Sequence, residues 1–279
     1  MTCDAYHAII GLPGSGKTTF LAALWHLINA GEVSTQLVLD RLEGDHRHLN
    51  AISDAWQRCE EVPRTSIAAE TDISIWIHEP ETGHRAKLAF PDLSGESFAN
   101  QVAIRSCKKA YIDGFGGDGG VMLFITADRS TDGITLLDMA SMITGEELET
   151  NALVEWTPAI VPQQVKLIEL LQFLQSPPFR RVQRRLAVIV SAWDVVNEPQ
   201  LSPEAWLLRE LPMLHQFLQS NHSSFDFQAY GISAQGGNVK SEDRDWLLRK
   251  TPSERVICVS NDANNHDLTA PIRWLMMRS

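Results

Sequence analysis

Gly11-Leu12-Pro13-Gly14-Ser15-Gly16-Lys17-Thr18 has the residue types and spacing of a phosphate cradle, G-x-x-x-x-G-K-[ST]. Its glycines let successive backbone N–H groups turn inward as an anion-binding nest. A helix beginning at its end adds the positive pole of the helix dipole. Lys17 is placed to meet β- and γ-phosphates, and the Thr18 hydroxyl is a ligand for Mg²⁺. Gly11, Pro13, Gly14, Ser15, Gly16, Lys17, Thr18 and Thr19 are the candidate phosphate-binding residues. The motif has this meaning only between a strand and a helix, and both are legible. Tyr6 to Ile10 is an apolar run, and Lys17 to Asn29 reads as a helix closed by Ala30-Gly31.

The bulk properties bound the rest. Of 279 residues, 44% are hydrophobic and 21% charged, the balance of a globular protein. A net charge of -11 argues against non-specific binding to nucleic acid or an anionic membrane, both of which need basic surface. Cys3, Cys59, Cys107 and Cys258 form no C-x-x-C pair, so neither a zinc framework nor a disulfide scaffold is expected. No apolar run reaches the about 18 residues of a membrane span, and Asp4 interrupts the only short run ahead of Gly11. A cytoplasmic protein is expected.

The elements that must position the cradle follow in order. Ser34 to Leu39 reads as a strand and Asp45 to Glu60 as a helix, with Leu49, Ile52, Ala55, Trp56 and Cys59 at three- and four-residue steps. This segment, about 31–62, is read as an insertion: either an added strand and helix at the sheet edge, or a lid or partner-binding element near the ligand. Asp72 to His78 and Ala86 to Phe90 flank a turn at Glu81-Thr82-Gly83-His84 and read as a β-hairpin. A helix is expected over Phe98 to Tyr111, and Val121 to Thr126 is a buried strand. Residues 127–160 mix turn and helix signals. Pro162 to Gln175 is an amphipathic helix, Arg184 to Val190 a strand, and Pro203 to Gln219 a helix with a kink at Pro212. Phe225 to Gly231 is a strand and Asp243 to Lys250 a short helix. Val256 to Val259 is a strand or an extended loop, and Thr269 to Met277 is a closing helix. Strands alternating with helices imply an α/β fold, doubly wound on a mostly parallel sheet. The whole of 1–279 reads as one domain with a C-terminal extension over about 240–279.

Ligands in such sheets gather beyond the carboxyl ends of the strands, and three further motifs sit there. The hairpin runs into Asp92-Leu93-Ser94-Gly95. The strand at 184–190 runs into Ser191-Ala192-Trp193-Asp194, and the strand at 225–231 leads to Ser233-Ala234-Gln235. With these in place the chain resembles the translation-factor and Ras-like class of P-loop GTPases. The resemblance implies a small-GTPase-like fold, GTP or GDP as ligand, Mg²⁺ as cofactor and a protein partner engaged through mobile switch segments. It implies that Asp92 holds Mg²⁺ through water and that the Gly95 amide meets the γ-phosphate. Asp194 would accept hydrogen bonds from guanine, with the Ser233-Ala234 backbone at guanine O6. The metal-ligating switch threonine best matches Thr65 in Pro63-Arg64-Thr65, with Thr71 as runner-up. The metal set is then Thr18, Thr65 and Asp92. The catalytic candidates are Lys17, Thr65 and Glu96, and Arg64 is either an internal arginine for the phosphate or a solvated loop charge.

The departures carry information too. Ala192 stands where the family has a lysine over the base, Ser191 where it has asparagine or threonine, and Gln235 where it has lysine. Glu96 stands where a glutamine often orients the attacking water, so slow hydrolysis is expected. The insertion, the P-R-T string, Asp92-Leu93-Ser94-Gly95-Glu96 and His266-Asp267-Leu268-Thr269-Ala270-Pro271 also resemble the bacterial double-GTPase group of conflict and defence systems. That likeness implies a subunit working beside products of neighbouring genes, in antiphage defence. Two rival readings stand beside the GTPase switch: a non-hydrolysing nucleotide-binding scaffold, and an ATPase or kinase of the same superfamily.

Overall fold

The strand that carries the phosphate cradle, β1 (Ala5–Gly11), lies between two parallel neighbours. They are β4 (Arg85–Phe90) and β5 (Val121–Thr126). The structure is a computed structural model and describes residues 5–43, 47–62, 73–90, 95–107, 109–114, 119–129, 161–261 and 263–277. Among the described residues, nine strands form one sheet in the order β2-β3-β4-β1-β5-β6-β7-β8-β9. The others are β2 (Val38–Glu43), β3 (Ile73–His78), β6 (Arg184–Ser191), β7 (Phe225–Ser233), β8 (Ile257–Val259) and β9 (Asn264–Asn265). The five central strands β4, β1, β5, β6 and β7 are parallel. The flanks, β2-β3-β4 on one side and β7-β8-β9 on the other, are antiparallel.

Why the central strands read as unbroken apolar runs is visible in the packing. Along β5, Met122 and Phe124 enter one core while Val121, Leu123 and Ile125 enter the other. Along β6, Ala187 and Ile189 divide from Leu186, Val188 and Val190 in the same way. A strand covered on both faces needs apolar side chains at every position. The first core is roofed by α1 (Lys17–Ala30), α2 (Arg47–Gln57) and α10 (Ala270–Met276). The second is roofed by α3 (Glu96–Ile104), α5 (Gln163–Phe173), α6 (Pro203–Glu210) and α7 (Pro212–Ser220). The sheet is therefore wound on both faces. The remaining helices are short: α4 (Lys109–Gly114), α8 (Asp243–Leu248) and α9 (Pro252–Arg255).

Three expectations need correction. The strand expected over Ser34–Leu39 begins only at Val38. The Gln36 N–H donates to Asp267 Oδ2 at 3.0 Å and the Leu37 N–H to Thr269 Oγ1 at 3.1 Å, so side chains of the C-terminal extension take the place of a sheet neighbour. The single helix expected over Phe98–Tyr111 is two helices, α3 and α4. Arg105 turns left-handed (φ 54°) and its N–H caps onto the Gln101 carbonyl. Pro212 ends α6 outright and starts α7, with Leu211 between them in a non-helical conformation. A proline has no N–H for the ladder and disfavours the helical conformation in the residue before it. The insertion supplies both its elements. β2 is the sheet's edge strand, and α2 lies over α1, joined to it by Trp25 Nε1 donating to Asn50 Oδ1 at 3.0 Å. Among the described residues, no helix is long and apolar enough to cross a membrane.

Candidate nucleotide site

The carboxyl ends of β1, β6 and β7 meet around one cleft of about 500 Å³. At its phosphate end, Gly14 and Gly16 adopt positive φ (75° and 86°), and Gly16 caps the start of α1. Lys17 is buried. Its Nζ donates to the carbonyls of Gly11 (2.8 Å) and Leu12 (3.0 Å) and to Ser15 Oγ (3.3 Å). The loop's own carbonyls thus hold the ammonium beneath the turn of amides, where an incoming phosphate would meet it. Thr18 and Thr19, half-buried, open α1, and Thr19 lines the cleft. Pro13 is exposed at the turn.

Gly95 packs directly on this loop. A Cβ there would lie 2.6 Å from Lys17 Nζ and 2.7 Å from the Gly11 carbonyl oxygen, and its φ of 82° starts α3. The glycine of D-x-x-G therefore lies beside Lys17. Glu96 follows in the first turn of α3 and is exposed. Asp92 lies outside the described residues, as do Pro63, Arg64, Thr65 and Thr71.

The other end is built by β6 and β7. Ser191, the last residue of β6, donates from Oγ to the Ser15 carbonyl at 2.9 Å. A Cβ on Gly16 would approach that Oγ to 2.8 Å, so two small residues let strand and loop touch. Ala192 then takes a left-handed conformation (φ 53°) and opens a single 3₁₀ turn over Trp193–Val195. The indole of Trp193 lies against Gly231, where a Cβ would come within 2.3 Å of the ring. This pins the turn to β7 and aims Asp194 at the cleft. Ser233, fully buried, donates from Oγ to Asp194 Oδ1 and accepts from the Gly236 N–H at 2.9 Å. Asp194 and Ala234 both line the cleft, so the structure brings together Gly14, Gly16, Thr19, Asp194 and Ala234 across one space.

Sequence reasoning missed the second wall. Trp56, fully buried at the end of α2, donates from Nε1 to the Ala234 carbonyl at 2.8 Å, and Gln235 Nε2 returns to the Trp56 carbonyl at 3.3 Å. Arg255 lies over the Trp56 ring (4.7 Å) and donates to the Gln57 carbonyl at 3.2 Å and to Cys59 Sγ. Glu60, Glu61 and Val62 then pass along the cleft. The apolar stripe of α2 signals a core helix, but nothing in its spacing says that its end meets the loop after β7. Among the described residues, no group of three His, Cys, Asp or Glu is placed to hold a metal. A metal here would have to be held by few protein oxygens together with ligand phosphates, the usual mode for Mg²⁺. The Thr18 hydroxyl beside the cradle fits that mode.

Among solved structures the chain is similar to the S. cerevisiae Ski7 GTPase-like domain bound to GTP. That likeness has TM-score 0.44 and 12% identity and covers 85% of this chain and 44% of that one. It is also similar to the Arl6 BBS3 small GTPase of Trypanosoma brucei with bound GppNp (TM-score 0.39, 12% identity, 88% and 95% covered). A third is the bacterial selenocysteine-specific elongation factor EF-Sec (TM-score 0.36, 16% identity, 88% and 27% covered). The chain thus spans less than half the length of the Ski7 and EF-Sec chains. No curated protein matches it in sequence. The model of one family, Double-GTPase 1, matches residues 8–275. With its phosphate-loop sequence, Gly95 and Asp194 gathered near the carboxyl ends of the central strands, the chain belongs to the Double-GTPase 1 family.

Proposed function

We propose that residues 1–279 act as one GTPase-like domain that binds guanine nucleotide with Mg²⁺, hydrolyses GTP slowly, and signals to a protein partner. The observation that carries this reading is Asp194. Its carboxylate is oriented by Ser233 at one end of a cleft whose other end is the phosphate loop. A carboxylate there accepts two N–H donors from guanine, whereas adenine offers no matching pair of donors on that edge. In this reading the loop amides and Lys17 hold the phosphates, and Thr18, Asp92 and Thr65 hold the metal. The metal, when bound, neutralises charge on the phosphate oxygens. The segments at Thr65 and at Gly95–Glu96 carry the signal, since ordering against a γ-phosphate is how such switches distinguish their states.

Glu96 favours a second reading. A carboxylate at the head of α3 repels a γ-phosphate, so a scaffold that holds nucleotide without turning it over is the alternative. The resemblance to double-GTPases of defence systems supports partners encoded nearby and an antiphage setting in the bacterial cytoplasm. Mass spectrometry of co-purified nucleotide, with calorimetric titration of GTP, GDP and ATP, tests the base. Equal affinity for ATP and GTP, unchanged by Asp194→Ala, would remove guanine from the proposal. Phosphate release dependent on Lys17 and Mg²⁺ supports the enzyme, and retention of intact GTP over hours supports the scaffold.

A further inference from the structure

Charge in the cleft is lopsided. Among the described residues lining it are four carboxylates, Glu60, Glu61, Asp128 and Asp194, and Lys240 is the one lysine or arginine. Ala192, beside Asp194, has no side chain long enough to cover a ligand. Lys240 instead has a partner among those carboxylates. Its Nζ pairs with Glu61 Oε1 at 2.5 Å, joining the loop after β7 to the segment leaving α2. Both side chains are 67% exposed. A pair so exposed is screened by salt and adds little to fold stability. Its significance is its position, because both of its residues line the cleft, one on the segment leaving α2 and the other on the loop after β7.

Both supports of this pair are fixed. On one side, Trp56 is anchored to Ala234, and the Cys59 carbonyl accepts from Arg244 Nε at 3.1 Å. On the other, the Lys240 N–H donates to Asn238 Oδ1 at 2.9 Å and Ser241 Oγ donates to the Asn238 carbonyl at 2.9 Å. The two segments are therefore bonded to each other independently of the ion pair, and parting the pair moves only two long side chains.

We propose that Lys240 and Glu61 form a clasp on the exposed side of the cleft that sets how long a bound nucleotide stays. The inference rests on the cleft being a guanine-nucleotide site. With the clasp closed the ligand is retained, and release waits for the ion pair to break. The clasp slows exit without touching the phosphate loop. It also makes exchange sensitive to ionic strength and to any partner that offers Lys240 or Glu61 a competing charge.

Release of tritiated GDP from the full chain, followed by filter binding, tests this. Lys240→Ala and Glu61→Ala should each speed release by up to roughly fivefold, the factor an exposed pair supports. The double variant should be no faster than either single, and the reversed pair Lys240→Glu with Glu61→Lys should return release toward the wild-type rate. Raising NaCl from about 0.05 to about 0.5 M should speed release from the wild type and leave Lys240→Ala unchanged. Release from Lys240→Ala at the wild-type rate, additive effects in the double variant, or a reversed pair as fast as the singles would each overturn the clasp. Wild-type protein that retains no GDP would overturn the clasp and the reading of the cleft together. Retention by the wild type with no change in the variants would overturn the clasp alone.

Discussion

Ser191 Oγ donates to the Ser15 carbonyl at 2.9 Å, joining the base-side end of β6 to the phosphate loop. The two ends of the cleft, which the proposed reading gives to phosphate and to base, are therefore a single mechanical unit. Ser191→Ala should loosen it. Removing the donor leaves a buried carbonyl without a partner, a cost of about 1–3 kcal/mol. GDP affinity measured by calorimetry should fall roughly tenfold. A variant that melts earlier yet binds GDP as tightly as wild type would show that the bond serves the fold only.

Gly95 is the contact between α3 and the phosphate-end lysine. Alanine there is strained in the left-handed region by about 1–2 kcal/mol, and its Cβ would meet Lys17 Nζ and the Gly11 carbonyl at 2.6 and 2.7 Å. Gly95→Ala should push the head of α3 away from the loop. Discrimination between GTP and GDP should shrink while GDP binding largely survives. An undiminished GTP preference by titration would mean that Gly95 plays no part in sensing the third phosphate.

Trp56 serves two purposes that substitutions can separate. Trp56→Phe keeps an aromatic ring beneath Arg255 and removes the indole donor to Ala234. Stability should drop by about 1–2 kcal/mol, with GDP affinity falling by more than ATP affinity. Trp56→Ala adds a cavity and should cost about 3–5 kcal/mol. Equal losses for both nucleotides in the phenylalanine variant would argue that the bond does not shape the base end.

His7 sets an acid limit on the fold. It is buried, its Nδ1 accepts from the Gly120 N–H at 2.9 Å, and its Nε2 has no hydrogen-bond partner among the described residues. Burial pulls its pKa down from 6.5 to about 4. Between those values the unfolded chain binds the proton and the folded chain does not, so stability falls as the pH falls through that window. The full loss is roughly 3 kcal/mol. Urea unfolding at pH 7 and pH 5 should show it. His7→Asn, which keeps an acceptor for Gly120 and cannot titrate, should flatten the slope; an unchanged slope would place the acid sensitivity elsewhere. Glu79 acts in the same direction lower down. Hydrogen bonds from Thr82 and Arg273 hold its pKa below 4.5, so its contribution is present above 4.5 and lost in stronger acid.

Local chemistry made much of this readable in advance. A glycine-rich loop between an apolar strand and a helix has few other uses, and β5 and β6 announce two-faced burial at every position. The place of Asp194 at the cleft was legible because it follows such a strand. Long-range contacts were not. That Asp267 and Thr269 replace a strand neighbour for Gln36 and Leu37 depends on residues more than 200 positions apart in the chain meeting. That Trp56 faces Ala234, or that Lys240 reaches Glu61, follows from where α2 comes to rest on α1, which an amphipathic stripe leaves open. The split of α3 from α4 at Arg105 was hidden because that residue's left-handed turn has no glycine to mark it.

The clip between Gln36-Leu37 and Asp267-Thr269 has a further consequence for the order of synthesis. Domains are made from the N-terminus at roughly 5–20 residues per second. The phosphate loop emerges early, but the segment carrying α2 gains its last fastenings only when Arg255, Asp267 and Thr269 have been made. A nascent chain thus holds a phosphate cradle well before it has a finished base wall. If the cleft takes guanine nucleotide as proposed, an incomplete chain has the means to grip phosphate without the means to recognise guanine.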